Sequence, residues 1–229
     1  MSRYVVKFHK NGYVKYTSHL DILRIFKRTF KKCGFALKYS QGFNPHPKMG
    51  FAQPLSLGYS SLCELIEFET VENHEPELIL EKLKMALPEG LDPISCQRFE
   101  SPIKSLAAEA DSAIYVSWIP VENGEEWTQG FLEDKLTSYL AQQEIIAMKR
   151  QKKTKKLAPV DIRKMIRSIE GTVEAGKLVL NMHLDCGSTS NLSPELVITT
   201  FNQFCGIETP RYDIEVERRQ LLFTKNLHF

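Results

Sequence analysis

Two periodicities of apolar residues divide the first hundred residues of the chain into short elements. Apolar residues at every second position predict strands, and apolar residues three and four positions apart predict helices. The resulting order is strand, helix, strand, strand, helix, strand, or β-α-β-β-α-β. These elements are predicted at 4–10, 18–34, 35–40, 49–70, 76–87 and 91–100.

The same order of elements returns in the second half, without similarity of sequence. It is predicted at 113–121, 127–143, 144–150, 168–185 (with a turn at 174–176), 193–206 and 212–223. We therefore expect an α+β protein of two tandem ferredoxin-like modules with antiparallel sheets. The modules would span 1–100 and 113–229, and the small polar residues of 101–112 would form the linker.

The composition is that of an ordinary globular protein, because 42% of the 229 residues are apolar and 25% are charged. The formal net charge is only +2, so a nucleic-acid site must be a local patch. No apolar run reaches the length of about 18 residues that a membrane span needs. Five cysteines without a CxxC pair favour a reduced, cytoplasmic protein without a disulfide framework or zinc finger. We expect no metal, no cofactor and no membrane partner.

The segment YSQGFNPHPK, residues 39–48, combines a glycine, two prolines, an amide, an imidazole and an ammonium group. Its prolines favour an extended backbone for the residues before them. In an extended chain alternate side chains face the same way, so Asn44, His46 and Lys48 would project together. Such a set suits an anionic or nucleobase ligand.

Gly42 in the same segment permits a sharp turn that would present Phe43 at a bend. Phe43 would then stack on a base, while Gln41 and Asn44 would read base edges. The alternative is a proline-stiffened crossover that connects two strands and binds nothing. The chemistry of the residues leaves both possibilities open.

The predicted helix at 18–34 has start and stop signals, since Ser18 and Asp21 have capping-box spacing and Gly34 suits the C-terminal cap. Four cations along one face follow the i, i+3, i+4, i+7 pattern: Arg24, Lys27, Arg28 and Lys31. No acidic residue interleaves with them, which makes attraction to phosphate plausible. The alternative is a solvated helix surface.

His19 and His46 belong to the same predicted module and are candidates for acid–base catalysis. With Lys48 they could cleave RNA, and with Cys63 they could bind a metal. Neither spacing is diagnostic, and no catalytic residue is assigned.

Two later segments are candidate contacts for anions. The segment KRQKKTKK, 149–156, has six cations in eight residues, which is typical of a loop that contacts nucleic acid or of a solvated extension. The loop LDCGSTSNLSPE, 184–195, leads into a helix and could hold a phosphate on backbone N–H groups. The GxxxxGK[ST] and GxGxxG motifs are absent from the sequence.

The segments SHLD (18–21), YSQGFNPHPK (39–48) and FAQPLSLG (51–58), together with Glu64, resemble the radical-SAM-linked domain of unknown function. This bacterial family occurs alone or fused behind a radical-SAM protein. Weaker resemblance extends to VDIRKMI and PRYDIEVER, whereas CGSTSNLSPE lacks the arginine of the family pattern. The resemblance implies a radical-SAM partner and no settled activity.

Three functions follow from these residues. The leading hypothesis is a non-enzymatic RNA-binding or substrate-presenting accessory of a radical-SAM RNA-modification enzyme. The first alternative is a metal-independent RNA endonuclease that uses His19 and His46. The second alternative is a protein–protein adaptor for the radical-SAM partner, which binds no RNA.

Overall fold

The computed structural model describes residues 2–99, 105–122, 126–151, 155–225, 227 and 229. The chain divides into two compact units. Unit 1 contains residues 1–110 and 221–229, and unit 2 contains residues 111–220. Both units combine helices with mostly antiparallel strands, which is the α+β class that the sequence predicts.

Unit 1 follows the predicted order of elements. Its elements are β1 (Arg3–Lys10), α1 (His19–Lys32), β2 (Met49–Phe51), β3 (Ser60–Glu69), α2 (Pro76–Ala86), β4 (Leu91–Arg98) and the short helix α3 (Leu106–Glu109). The strands lie in the order β4-β1-β3-β2, and each neighbouring pair is antiparallel. The first strand is therefore central, where Val6 faces Ile66 on β3 and Cys96 on β4.

An aromatic core joins α1 to the sheet of unit 1. Phe26 and Phe30 lie four residues apart on the buried face of α1. The ring of Phe26 lies 4.9 Å from that of Phe8 on β1, and the ring of Phe30 lies 4.3 Å from that of Phe68 on β3. Because these contacts fix the rotation of α1, they also decide which of its residues face solvent.

The segment 35–40 is not a strand, contrary to the sequence-based expectation. Leu37 and Tyr39 form only isolated bridges, to Thr70 and Pro47. The second strand of unit 1 is instead β2, which pairs with β3. The chain reverses direction just after Tyr39, so this residue meets its local neighbour Pro47 rather than a sheet strand.

Unit 2 contains the remaining elements, apart from the ends of two strands. They are β5 (Ala110–Pro120), α4 (Gln129–Leu140), β6 (Ile146–Arg150), β7 (Leu157–Asp161), β8 (Ile166–Glu174), β9 (Lys177–Asp185), α5 (Pro194–Cys205) and β10 (Glu215–Phe223). Ala110 of β5 and the last three residues of β10 are assigned to unit 1. The main strands lie in the order β10-β5-β9-β8. The predicted turn at 174–176 is present, with positive φ at Ala175 and Gly176.

The segment 144–150 does not join the main sheet of unit 2. Its strand β6 pairs with β7 in a separate two-stranded ribbon, from Ile146 opposite Asp161 to Arg150 opposite Leu157. The sequence-based prediction assigned no element to Leu157–Asp161. The pairing partner of β6 therefore went unrecognised.

The segment predicted as a linker, 101–112, lies only partly within the described residues. Residues 101–104 are outside them, Leu106–Glu109 is helical, and β5 begins at Ala110. Among the helices that the structure describes, none is both long and apolar enough to cross a bilayer.

Candidate nucleic-acid surface

Helix α1 begins at the capping residues that the sequence predicts. The Ser18 hydroxyl accepts a hydrogen bond from the Asp21 N–H at 3.2 Å and donates one to the Asp21 carboxylate at 2.7 Å. The hydrogen bond from Ser18, and then that from Arg24, lowers the pKa of the Asp21 carboxyl. An ionised Asp21 also suits the positive end of the helix dipole.

The four cations of α1 differ in their surroundings. Arg24 donates to the Asp21 carboxylate at 2.7 Å, although both side chains are more than half exposed. Lys27, Arg28 and Lys31 are exposed, and no carboxylate among the described residues forms an ion pair with them. We call these three residues the α1 cations, because their charge is available to an anionic partner.

The segment 39–48 is a closed loop rather than an extended chain. The Ser40 N–H donates to the His46 carbonyl at 2.8 Å, and the His46 N–H donates to the Ser40 hydroxyl at 3.0 Å. Gly42 has a φ of +127°, a conformation that L side chains rarely adopt, and this allows the reversal. Both prolines, Pro45 and Pro47, follow the reversal, so they stiffen only the returning arm of the loop.

The tip of this loop presents an aromatic ring to solvent. The Phe43 side chain is fully exposed, and Gln41, Asn44 and His46 are exposed as well. Burying no surface, Phe43 adds nothing to the core of unit 1. An exposed ring flanked by two amides and an imidazole retains the stacking and hydrogen-bonding chemistry that the sequence predicts.

Lys48 lies at the edge of the sheet, and its side chain meets an acid. Its ammonium group lies 3.2 Å from a carboxylate oxygen of Glu69, and its backbone N–H donates to the Lys38 carbonyl at 2.7 Å. Lys48 therefore does not project as a free cation beside Asn44 and His46. Glu69 lies 21 residues later in the sequence, so the local pattern around Lys48 does not predict this pairing.

One contact connects the α1 cations with the loop. The Lys27 ammonium group lies 5.9 Å from the centre of the Tyr39 ring, within reach of a cation–π interaction. Tyr39 is also the residue that closes the loop through its bridge with Pro47. The cationic face of α1 and the base of the loop therefore lie side by side in unit 1.

The two histidines have different environments. The His19 ring lies 4.9 Å from the Phe51 ring and is partly buried, whereas His46 is exposed on the loop. Cys63 is buried, with its sulfur 3.7 Å from the Ser61 hydroxyl oxygen. Within the described residues, no group of three His, Cys, Asp or Glu side chains is placed to hold a metal ion.

The basic segment 149–156 lies at the tip of the β6–β7 ribbon. Lys149 and Arg150 are exposed at the end of β6, and the Arg150 side chain donates to the Lys155 carbonyl at 3.0 Å. Lys156 accepts a backbone hydrogen bond from Gln151 at 2.9 Å. Residues 152–154 of this segment lie outside the described residues.

The loop 184–195 uses its polar groups internally. The Ser190 hydroxyl donates to the Asp185 carboxylate at 2.6 Å, and the Gly187 N–H donates to the Ser190 carbonyl at 2.8 Å. Helix α5 begins with Pro194, which has no N–H group to offer an anion. These contacts account for the loop without a bound phosphate.

Residues 3–194 match the family described as "Uncharacterized protein conserved in bacteria (DUF2344)". The chain belongs to this family. Its matched region contains α1, the 39–48 loop and β3, so the candidate surface lies within the part that defines the family. No curated protein matches the chain.

The solved structures that are similar to the chain include the following two. One, the "Crystal Structure of a Cbf5-Nop10-Gar1 Complex", gives a TM-score of 0.54 at 12% identity, covering 95% of this chain and 48% of that chain. The chain thus spans about half the length of that relative. The other, the "Crystal Structure of an Unknown Protein from Galdieria sulphuraria", gives a TM-score of 0.30 at 16% identity, covering 95% and 98%. The first likeness shows a related α+β fold.

The DUF2344 chain also has a buried charged cluster that the sequence analysis missed. Lys10 on β1 and Glu64 on β3 are only 2% and 4% exposed, and both line a cavity of about 10 Å³ with His19. The Lys10 ammonium group also donates to the Lys15 carbonyl at 3.2 Å. We call Lys10, Glu64 and the partly buried His19 the buried cluster.

Strand periodicity contains the signal that would have found this cluster. Lys10 continues the inward positions of Tyr4, Val6 and Phe8 on β1, at every second residue. In the same way, Glu64 continues the inward positions of Ile66 and Phe68 on β3. A charged residue at an inward position of a strand must find partners inside the protein.

Proposed function

We propose that the protein is an RNA-binding or substrate-presenting accessory of a radical-SAM RNA-modification enzyme. The observation that supports RNA binding is the contact between Lys27 and Tyr39, which places the α1 cations next to a loop with an exposed aromatic tip. Cations for phosphates and aromatic rings for bases are the two components of single-strand recognition. The radical-SAM partner and a cytoplasmic location rest on the family resemblance and the cysteine pattern.

We further propose that the two units are tandem ferredoxin-like modules. In unit 1 the strand order is β4-β1-β3-β2, and in unit 2 it is β10-β5-β9-β8. In unit 1 the strand that comes first in the chain, β1, lies between β4 and β3, which come last and second-last. In unit 2 the corresponding strand β5 lies between β10 and β9. Repetition of this order, with two helices of more than ten residues in each unit, supports a shared module.

The endonuclease alternative has less support than RNA presentation. His19 packs against Phe51 and lines the small cavity that Lys10 and Glu64 also line, whereas His46 is exposed on the loop. An acid–base pair for phosphodiester cleavage needs both groups within reach of one phosphate. No contact brings His19 and His46 together in the described part of the chain. Cleavage of RNA during a titration with total cellular RNA would favour the endonuclease alternative.

The first experiment is a binding titration of the purified protein with total cellular RNA at two salt concentrations. We expect binding that weakens with salt, by a slope of about 0.7 per phosphate contact on single strands. The double variant Lys27→Gln/Lys31→Gln should bind more weakly and lose about 1.4 from that slope. Gel analysis of the same samples reports any cleavage.

The matched control removes the same charge elsewhere. Lys84→Gln/Lys164→Gln changes two exposed lysines, on α2 of unit 1 and in unit 2, and should leave the affinity close to that of the unchanged protein. Equal losses of RNA affinity in both double variants would show that the protein attracts RNA by its charge, without a defined binding site. Absence of RNA binding at low salt, with nuclease-resistant co-purification of a radical-SAM protein, would favour the adaptor alternative.

A further inference from the structure

A groove lies between α1 and the residues that follow it in unit 1. Lys27 and Lys31 of α1 line it together with the segment 34–37 and Tyr39. Its volume is about 360 Å³, within the range of pockets that hold small ligands. All of these residues lie in the described part of unit 1, so the groove does not depend on how the two units are arranged.

The walls of the groove combine two ammonium groups with an aromatic ring and an apolar floor. Lys27 and Lys31 are one helical turn apart, so their side chains are neighbours on the surface of α1. The Tyr39 ring is about half exposed, and Phe35 and Leu37 supply apolar floor. No carboxylate is among the lining residues, so Lys27 and Lys31 give the lining itself a positive charge.

Gly34 keeps one end of the groove open. Its φ is +82°, and no atom lies within 4 Å of the position that a Cβ would occupy. The glycine follows Cys33 at the end of α1, and as a lining residue it contributes no side chain to the groove. A flat ligand can therefore approach the Tyr39 ring from this side.

We infer that this groove binds one unpaired nucleotide of RNA, with its base against Tyr39 and its phosphates at Lys27 and Lys31. The inference rests on the proposed RNA-binding function and specifies that the bound RNA is unpaired. A base inside a duplex stacks on its neighbours and has no free face for a tyrosine ring, whereas an unpaired base does. The exposed Phe43 ring on the adjoining loop provides a second stacking surface for the same strand.

The test compares a single-stranded RNA of about 12 nucleotides with the same sequence in a duplex, by fluorescence anisotropy at low salt. We expect the single strand to bind at least about tenfold more tightly. Tyr39→Leu should weaken single-strand binding by about 5- to 150-fold, the range of one base–aromatic stack. Tyr39→Phe keeps the ring and should retain most of the affinity.

Tyr13→Leu is the matched control, because Tyr13 is an exposed tyrosine of unit 1 that does not line the groove. Its affinity should equal that of the unchanged protein. Equal binding of duplex and single strand, or unchanged binding by Tyr39→Leu, would overturn the inference and leave RNA binding standing. Failure of every RNA, total cellular RNA included, to bind would overturn the proposed function itself.

Discussion

The α1 cations and the buried cluster place the same kind of charge in opposite surroundings within unit 1. Lys27, Arg28 and Lys31 extend into solvent, whereas Lys10 is almost completely buried beside Glu64. A solvated ammonium group costs the fold almost nothing, and a buried one must be compensated by an opposite charge and hydrogen bonds. The position of a lysine on the sheet or helix, and not its residue type, decides whether its ammonium group is exposed or buried.

The difference between exposed and buried charges provides a way to assign roles to the charged residues of unit 1. An exposed cation can be removed with little loss of stability, so its effect on binding can be measured cleanly. A buried charged side chain responds in the reverse way, because removing a neighbour of opposite charge leaves it with less compensation. Stability measurements therefore separate the two regions without knowledge of the ligand.

The largest effect is expected in the buried cluster. Glu64→Leu removes the carboxylate that shares a cavity with Lys10, and we expect the free energy of unfolding to fall by about 3–5 kcal/mol. The measurement is urea denaturation followed by circular dichroism.

A double variant sharpens this prediction. Lys10→Met/Glu64→Leu removes both charges and should recover most of the stability that the single variants lose, because no buried charge is left without compensation. Additive losses in the double variant would mean that Lys10 and Glu64 do not compensate each other. The buried cluster would then not be an example of compensated buried charges, in contrast to the exposed α1 cations.

A much smaller effect on stability is expected at the α1 cations. Lys27→Gln and Lys31→Gln should each change the free energy of unfolding by less than about 0.5 kcal/mol, because both side chains are solvated. The same urea titration gives the result, with Lys84→Gln as a surface control on α2. A loss comparable with that of Glu64→Leu would give the lysines a structural role and undermine their assignment to RNA.

The smallest effect concerns the acid at the start of α1. The pKa of Asp21 lies below its ordinary value of 3.8, so its ionised form stabilises the folded protein above that pH. Asp21→Asn should slightly lower the melting temperature at neutral pH. The difference from the unchanged protein should vanish as the pH falls through the folded-state pKa of Asp21.

Salt provides the control for Asp21. Its interactions with Ser18 and Arg24 are solvent-exposed, so the small difference should shrink further in concentrated salt. A difference between the two proteins that persists at low pH would instead point to the shape or hydrogen bonding of the side chain. Ionisation of Asp21 would then have no part in stabilising α1.

Local patterns predicted helix α1 and its N-terminal cap. The Ser18–Asp21 cap, the buried Phe26 and Phe30 and the exposed cations all follow from helix geometry, in which residues three and four apart share a face. The α+β class likewise follows from the alternation of helical and strand periodicities. The assignment of the cations to RNA stays a prediction, because helix geometry explains their exposure and not their ligand.

Sequence alone determined the elements whose stabilising contacts are local, and the tertiary structure decided those whose partners are distant. The hydrogen bonds between Ser40 and His46 close the loop that the prolines had suggested was extended. Lys48 meets Glu69, and Lys10 shares a cavity with Glu64, only because strand pairing brings distant residues together. Strand register is set by the whole sheet, so local periodicity cannot supply these partners.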